Sequence, residues 1–217
     1  MELLYARKLL YDFVKQNYSS GKHLSKDNYL IVVQHSFRVE NYAQQIANSY
    51  VNISYEEKKL LRLAAIFHDI GTVYGRENHA ERSKEIVEKL LMEESIKDLD
   101  ENRLFMLIEK HSEKGEFDDG DILLSILKDA DILDHIGAMS ILMYASKYDY
   151  NNSDYYSNVL KDLVERDIPF CKKQKSLIRT EKGREIIDQK INFIGSFIQQ
   201  LENEIKDSLL QLEELLT

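Results

Sequence analysis

A chain of 217 residues with 29 lysines and arginines against 38 aspartates and glutamates has a net charge of −9 and a pI near 5.2. It is long enough for one domain with an ordinary core, and too acidic to hold a nucleic-acid backbone unaided, because no surplus of Lys and Arg is there to displace counterions. The single cysteine, Cys171, excludes an intramolecular disulfide and fits a reducing compartment, and no stretch reads as a signal peptide or as an apolar run of the roughly 20 residues that cross a bilayer. The expectation is a soluble, cytoplasmic protein with no membrane partner.

One proline and eight glycines among plentiful Leu, Ile, Glu and Lys leave little to break a helix, and no segment alternates at period two. The expected fold class is therefore all-α, a single-domain bundle over residues 1–217. Helices are expected over 2–18, 27–50, 55–70, 77–94, 98–111, 119–136, 138–148, 153–166 and 180–215. The side chains of SKDNYL supply caps before the second, VNISYEEKK offers Ser54 and Glu57 as a capping box for the third, and KGEFDDGD is a polar break. The last helix has apolar residues at 191, 194, 197, 198, 201, 205, 209, 212 and 216. That stripe packs on the core of the domain in the first reading and on a second copy of the chain, as a homodimer, in the other.

The third helix ends in AAIFHDIGTVYG. Leu60, Leu61, Ala64 and Ala65 lie one and two turns before His68 on the face where its ring projects, so the imidazole points inward, with Asp69 beside it inward or at the rim. A lone inward histidine is ordinarily a core residue with ordinary partners. Here it has company. His35 shares a stripe with Ile31, Val39, Tyr42 and Ile46, His111 closes the run Leu104, Leu107, Ile108, and His79 opens the run Ser83, Ile86, Val87, Leu90. Imidazoles and carboxylates gathered inside a protein are best matched by a divalent cation, which takes their lone pairs and cancels the buried negative charge. Further carboxylates stand in LSILKDADILDHIGA, whose stripe Leu123, Ile126, Leu127, Ala130, Leu133, Gly137 has Asp129 and Asp131 at its shoulders and Asp134 near its middle. Periodicity alone does not choose among them, and capping a helix or staying solvated is the ordinary role of each.

A histidine, an adjacent His-Asp some tens of residues later and a distant Asp, all on helices, resemble the HD superfamily of metal-dependent phosphohydrolases. The pieces that carry the resemblance are QHSFRV, AAIFHDIG, NHAERSKEIVEKLL, IEKHSEKG, LKDADILDHIGA and RTEKGREIIDQKINFIGSFIQQLENE, spanning about residues 27 to 205. They are most similar to the bacterial branch whose later motif reads Asp-Ala-Asp-x-Leu-Asp-x-x-Gly-Ala. The resemblance implies a helical bundle of HD-domain type, with His35, His68, Asp69 and Asp131 as metal ligands. Asp131 is preferred because the family's ligand is the carboxylate of the Ala-Asp pair; Asp129 is the fallback, and Asp134 is expected to support or pack. His79 and His111 stand where this branch has histidines that contact substrate phosphate or hold a second ion.

This ligand set suits a divalent transition metal, Mn²⁺ first, with Fe, Co, Ni, Zn or Mg as the others. The implied reaction is attack of a metal-bound hydroxide on phosphorus, with Asp69 beside His68 as both ligand and proton acceptor. Arg38, one turn beyond His35, and Lys128 are the candidate cations for substrate phosphate. The implied substrate is a small phosphorylated metabolite, a nucleotide first, cut as by a nucleotidase or a nucleoside-triphosphate pyrophosphohydrolase. Two features depart from the family. LIVVQH lacks the Asp that many relatives carry ahead of the first histidine, and Thr72 replaces the Lys that follows HDIG in the cyclic-dinucleotide branch, which counts against that substrate. Two other readings stand beside this one. An HD-type di-iron oxygenase uses four His and two Asp, though its next histidine lies farther along than His79; a non-catalytic nucleotide-binding sensor would have no need of every nominal ligand.

Overall fold

The structure, a computed structural model, describes residues 1–18, 29–93, 99–113, 115 and 120–216, with side chains as far as residue 206. The caps expected from SKDNYL at 25–28, most of the KGEFDDGD break, the expected helix ends near 27, 94, 98 and 119, and the stripe side chains at 209, 212 and 216 lie outside the described residues. Every regular element among the described residues is helical, so the fold is all-α as the sequence implies. No described helix is long and apolar enough to cross a membrane. Contacts divide the chain into two compact units, Met1–Asp134 and His135–Thr217.

The first unit holds α1 (Leu3–Asn17), α2 (Tyr29–Ala47), α3 (Tyr55–Phe67), a 3₁₀ turn (Ile70–Tyr74), α4 (His79–Glu93), α5 (Glu101–Lys110) and α6 (Ile122–Asp134). α2 packs on both α3 and α6, and α4 packs on the 3₁₀ turn and on α5. The expected capping box forms at the start of α3: Glu57 N–H donates to Ser54 Oγ at 3.2 Å, and Ser54 N–H donates to Glu57 Oε2 at 3.0 Å. Leu61, Leu63, Ala64, Ala65 and Ile66 are fully enclosed, so the second half of α3 is core on all sides. α6 is the more unusual helix, because every residue from Leu123 to Asp134 is buried. The sequence suggests a stripe with charged shoulders; the structure encloses the shoulders too, Lys128 and Asp129 included. Charges survive such burial only when paired. The principle is plain at Glu40 on α2, which is fully buried and accepts from Arg7 of α1 at 2.8 Å and from Arg62 of α3 at 2.9 Å, tying three helices at one carboxylate.

The second unit holds α7 (Ala138–Ala145), α8 (Tyr155–Asp162), a π turn (Leu163–Asp167), α9 (Ile168–Leu177) and α10 (Glu181–Leu216). α9 is absent from the sequence reading, which stops a helix at 166 ahead of the only proline. Pro169 does not end the helix here. The backbone stays helical from α8 through the π turn into α9, and Ile168 N–H bonds Leu163 O in the wider π pattern just ahead of the proline. Along α10, Ile191, Phe197, Ile198, Leu201 and Ile205 are half-buried and Ile194 is fully buried, so the apolar stripe is present over the described side chains.

A polar knot lies inside this unit. Asp167, fully buried at the end of the π turn, has Oδ2 2.8 Å from the Ser140 hydroxyl and Oδ1 3.6 Å from the Cys171 thiol. The same hydroxyl lies 2.9 Å from Gly137 O, so its one proton is divided between two acceptors and Asp167 receives only part of it. Burial raises the Asp167 carboxyl above its ordinary range, and hydrogen bonds from Ser140 and Cys171 with the charge of Lys147 offset only part of this. Burial and Asp167 together push the Cys171 thiol up to about 12, leaving it unreactive. An acid whose folded pKa lies above its unfolded value of about 3.9 loses stability as pH rises from that value through the folded one, and is level beyond. The melting temperature of the wild type relative to Asp167→Asn is therefore expected to fall as pH rises from about 4 through the weakly acidic range. Parallel melts check this; a gap that closes with rising pH would mean that the fold stabilises the ionised carboxylate.

Candidate metal centre

Four histidines and two aspartates from five helical elements converge in the first unit. His35 lies within α2 on a buried face formed by Val32, Val39, Ala43 and Ile46; Ile31, expected on that face, is 44% exposed, so the face is turned by one residue. α3 ends at Phe67, and His68 and Asp69 follow as the chain bends into the 3₁₀ turn. His79 opens α4 and His111 ends α5. Asp131 comes from the enclosed α6.

Helix ends matter here because their last carbonyls have no helical donor. In the last turns of α3 and α5, His68 Nδ1 donates to Ala65 O at 2.8 Å and His111 Nδ1 to Ile108 O at 2.6 Å, while His79 Nδ1 donates to Arg76 O in the turn ahead of α4 at 2.8 Å. A carbonyl only accepts, so the proton of each neutral ring is on Nδ1 and its Nε2 presents a bare lone pair. In His35 the partner of Nδ1 is instead Asp134 Oδ2, at 2.7 Å. The bare nitrogens then face one another: His35 Nε2 is 3.1 Å from His68 Nε2, and His79 Nε2 is 3.3 Å from His111 Nε2. Asp69 Oδ1 lies 3.2 Å from His79 Nε2 and 3.3 Å from His111 Nε2, while its Oδ2 is 3.5 Å from His35 Nε2. Asp131 Oδ1 lies 3.3 Å from His35 Nε2 and 3.8 Å from His68 Nε2.

Lone pairs this close repel unless positive charge sits among them. A proton answers part of the demand: burial opposes charge on His35, but Asp131, Asp134 and Asp69 outweigh it and raise the ring to about 10. Asp69 raises His79 against the effect of burial, whereas at His111 burial dominates and lowers the pKa. Burial would raise Asp69, yet the charges and hydrogen bonds of His68, His111 and His79 hold it well below the carboxylate range. A metal ion answers the demand more fully. With bonds of about 2.1 Å, neighbouring ligands of one ion stand about 3.0 Å apart in an octahedron and about 3.4 Å in a tetrahedron. The donor separations above fit both, and the donor atoms of His35, His68 and Asp69, of His68, His111 and Asp131, and of Asp69, His79 and His111 lie within 4.8 Å of one another in each group. The cluster could therefore hold a divalent ion.

The structure thus brings together His35, His68, Asp69, Asp131, His79 and His111. Asp129, the fallback, is fully buried on α6 but belongs to none of these donor groups. Arg38 gives Nε to Asp134 Oδ1 at 2.6 Å and Nη2 to Asp134 Oδ2 at 2.9 Å, and Lys128 is 1% exposed. The sequence reading does not foresee the supports beneath His79. Arg82 donates to the carbonyls of Gly71, Gly75 and Glu77, knotting the loop ahead of α4, and Gly71 N–H donates to Ser83 Oγ at 2.9 Å. The only signal for them in the sequence is the glycine after HDI.

A cluster of histidines and aspartates gathered by packed helices marks a helical protein that could hold a metal ion. Residues 32–136 match the family model of the HD domain, and this segment of the chain is an HD domain. No curated protein matches the sequence. Among solved structures, Bacillus subtilis YpgQ is 22% identical with a TM-score of 0.59, the match covering 94% of this chain and 98% of that one. YpgQ in complex with ADP is 23% identical with a TM-score of 0.58, covering 92% and 97%. An HD-superfamily hydrolase from Bacillus thuringiensis is 18% identical with a TM-score of 0.63, covering 94% and 99%. At these identities the likeness is one of fold.

A Cβ at position 71 would stand 2.5 Å from His79 O and 2.8 Å from Ser83 N, both backbone atoms of α4. Gly71→Ala is therefore expected to push the start of α4, and His79 with it, away from Asp69, lowering stability by about 1–3 kcal/mol as overpacking does. Thermal melts measure this, and an unchanged melting temperature would show that α4 yields without strain.

Proposed function

We propose that the protein is a metal-dependent phosphohydrolase acting on a small phosphorylated metabolite, a nucleotide in the first place. The observation that carries this is the convergence of the Nε2 atoms of four histidines on Asp69 and Asp131. On this reading His35, His68, Asp69 and Asp131 hold a divalent transition metal, Mn²⁺ first. Such an ion acidifies a water and offsets the charge that gathers on phosphoryl oxygens.

The side chains of the centre are graded in exposure: His68 0%, Asp131 7%, His35 10%, Asp69 18% and His79 23%. Substrate then approaches on the side of Asp69 and His79, while α6 closes the other side to water. Asp69 is the group at that rim able to take a proton from the attacking water, and His79 and His111, which share its Oδ1, are placed to meet a phosphoryl oxygen or a second ion. The acidic surface suits a small substrate rather than a polymer. Bacillus subtilis YpgQ, of the same fold, has been solved with ADP, which supports a nucleotide here. A reducing cytoplasm suits the one cysteine, a buried free thiol.

Metal analysis of the purified protein, with phosphate and pyrophosphate release measured over a nucleotide panel, tests the proposal and separates nucleotidase from pyrophosphohydrolase. Metal without any release, but with nucleotide binding, would point to a sensor. The donor group Asp69, His79 and His111 also fits the di-iron oxygenase reading, which two irons and substrate-dependent O₂ uptake would favour.

His68→Ala is expected to empty the site and abolish hydrolysis, and Asp131→Asn to remove most activity by weakening metal binding; full activity with normal metal content in either would put the site elsewhere. His79→Ala and His111→Ala are expected to leave the first ion in place and to lower kcat/KM by about ten- to a thousandfold, or roughly 1.4 to 4 kcal/mol of transition-state stabilisation. Metal stoichiometry in these two variants distinguishes loss of a second ion from loss of a substrate contact. Lower stability with unchanged kinetics would make both rings architectural.

A further inference from the structure

His35 differs from the other three histidines in how its ring is held. His68 and His111 anchor Nδ1 on leftover carbonyls at helix ends and His79 on a carbonyl of the turn ahead of α4, whereas His35 lies well inside α2, where the helix consumes its own carbonyls. It needs an acceptor from outside, and the last residue of α6 provides one. Asp134, 3% exposed, accepts from His35 Nδ1 on Oδ2, and the same carboxylate takes the Arg38 fork on both oxygens. His35 and Arg38 are three residues apart on α2, so both reach across the same α2 and α6 contact. A guanidinium bound through two parallel N–H groups fixes the plane of a carboxylate as well as its charge.

We infer that Arg38 and Asp134 are positioning residues that act in series, Arg38 orienting Asp134 and Asp134 orienting His35, so that His35 Nε2 is aimed at the metal. The inference rests on the metal-centre reading above. It gives Arg38 a task other than holding substrate phosphate: Nε and Nη2, one of the two edges with which a guanidinium grips an oxyanion bidentately, are already engaged by a buried carboxylate. It also explains how α6 serves the centre twice, with Asp131 as a donor and Asp134 one turn later behind the ring of a second donor.

The test is Mn²⁺ affinity of the metal-free full-length protein, measured by titration, with apo melting temperatures recorded alongside. Asp134→Ala and Arg38→Gln are each expected to weaken Mn²⁺ binding by about ten- to a hundredfold, the usual cost of losing a residue that supports a ligand. Asp134→Asn keeps an oxygen to accept from Nδ1 and is expected to lose less than Asp134→Ala. Because the two residues act in series, the Arg38→Gln/Asp134→Ala double variant is expected to bind no more weakly than Asp134→Ala alone. Should Asp134→Ala fail to fold, Arg38→Gln and Asp134→Asn decide the matter by the same titration. An Arg38→Gln protein with wild-type Mn²⁺ affinity and a raised KM would overturn the inference and return Arg38 to the substrate. Wild-type protein that binds no divalent ion would overturn the metal-centre reading itself; wild-type binding matched by every variant overturns only the series.

Discussion

Two pairs of imidazole nitrogens, at 3.1 Å and 3.3 Å, each aim lone pairs at one another inside a helical core, and the rest of the first unit is arranged around that repulsion. Each ring has its Nδ1 proton committed to an oxygen, so no neutral tautomer relieves the contact without breaking one of these hydrogen bonds, all buried except that of His79. Positive charge among the nitrogens is the remaining relief, whether a proton or a metal ion. The low dielectric that sharpens the repulsion also strengthens the attraction of any cation that enters.

Helix ends make such a centre compatible with an otherwise ordinary bundle. Two rings are fixed by carbonyls that α3 and α5 leave over at their ends and a third by a carbonyl of the turn ahead of α4, so orienting them takes no further buried polar side chains. The fourth is held by Asp134, whose burial is matched by Arg38, much as the burial of Glu40 is matched by Arg7 and Arg62. Rigidity comes from close backbone contact at Gly71 and from the Arg82 knot, both of which fix the start of α4 relative to Asp69. Displacing α4 would move His79 alone, whereas displacing α6 would move Asp131 and the support of His35 together, which accords with enclosing α6 most completely.

Helical class, the capping box at Ser54 and the inward histidines His35, His68, His79 and His111 were legible because each is a local pattern: composition, a four-residue spacing, a residue on a periodic face. What was not legible depends on contacts between distant segments. His35 reads as sharing a face with Ile31, but packing of α2 against α6 selects Val32 instead, a turn of one residue that periodicity does not resolve. Pro169 reads as the end of a helix, yet the chain runs through it helically by way of a π turn. Asp129 and Asp131 read alike as shoulders of a stripe. Only the placement of α6 against the ends of α3 and α5 sets Asp131 among the imidazoles and leaves Asp129 out of the donor groups.

The charge count of the centre bears on what it would bind. Asp134 is balanced by Arg38 and drops out, which leaves Asp69 and Asp131 as the negative charges that face the rings. On the metal-centre reading, one divalent ion brings that pair to neutrality, and a second, held through Asp69, His79 and His111, would leave an excess of two positive charges. A neutral centre holds a phosphate dianion through coordination and hydrogen bonds alone, and then cationic or imidazole donors at the rim carry more of the binding. A doubly positive centre attracts the same dianion by charge in a dry site, where charge acts most strongly. On that reading His79 and His111 decide more than one ligand contact: whether they would face a second ion or a substrate sets the net charge that a phosphoryl group would meet there.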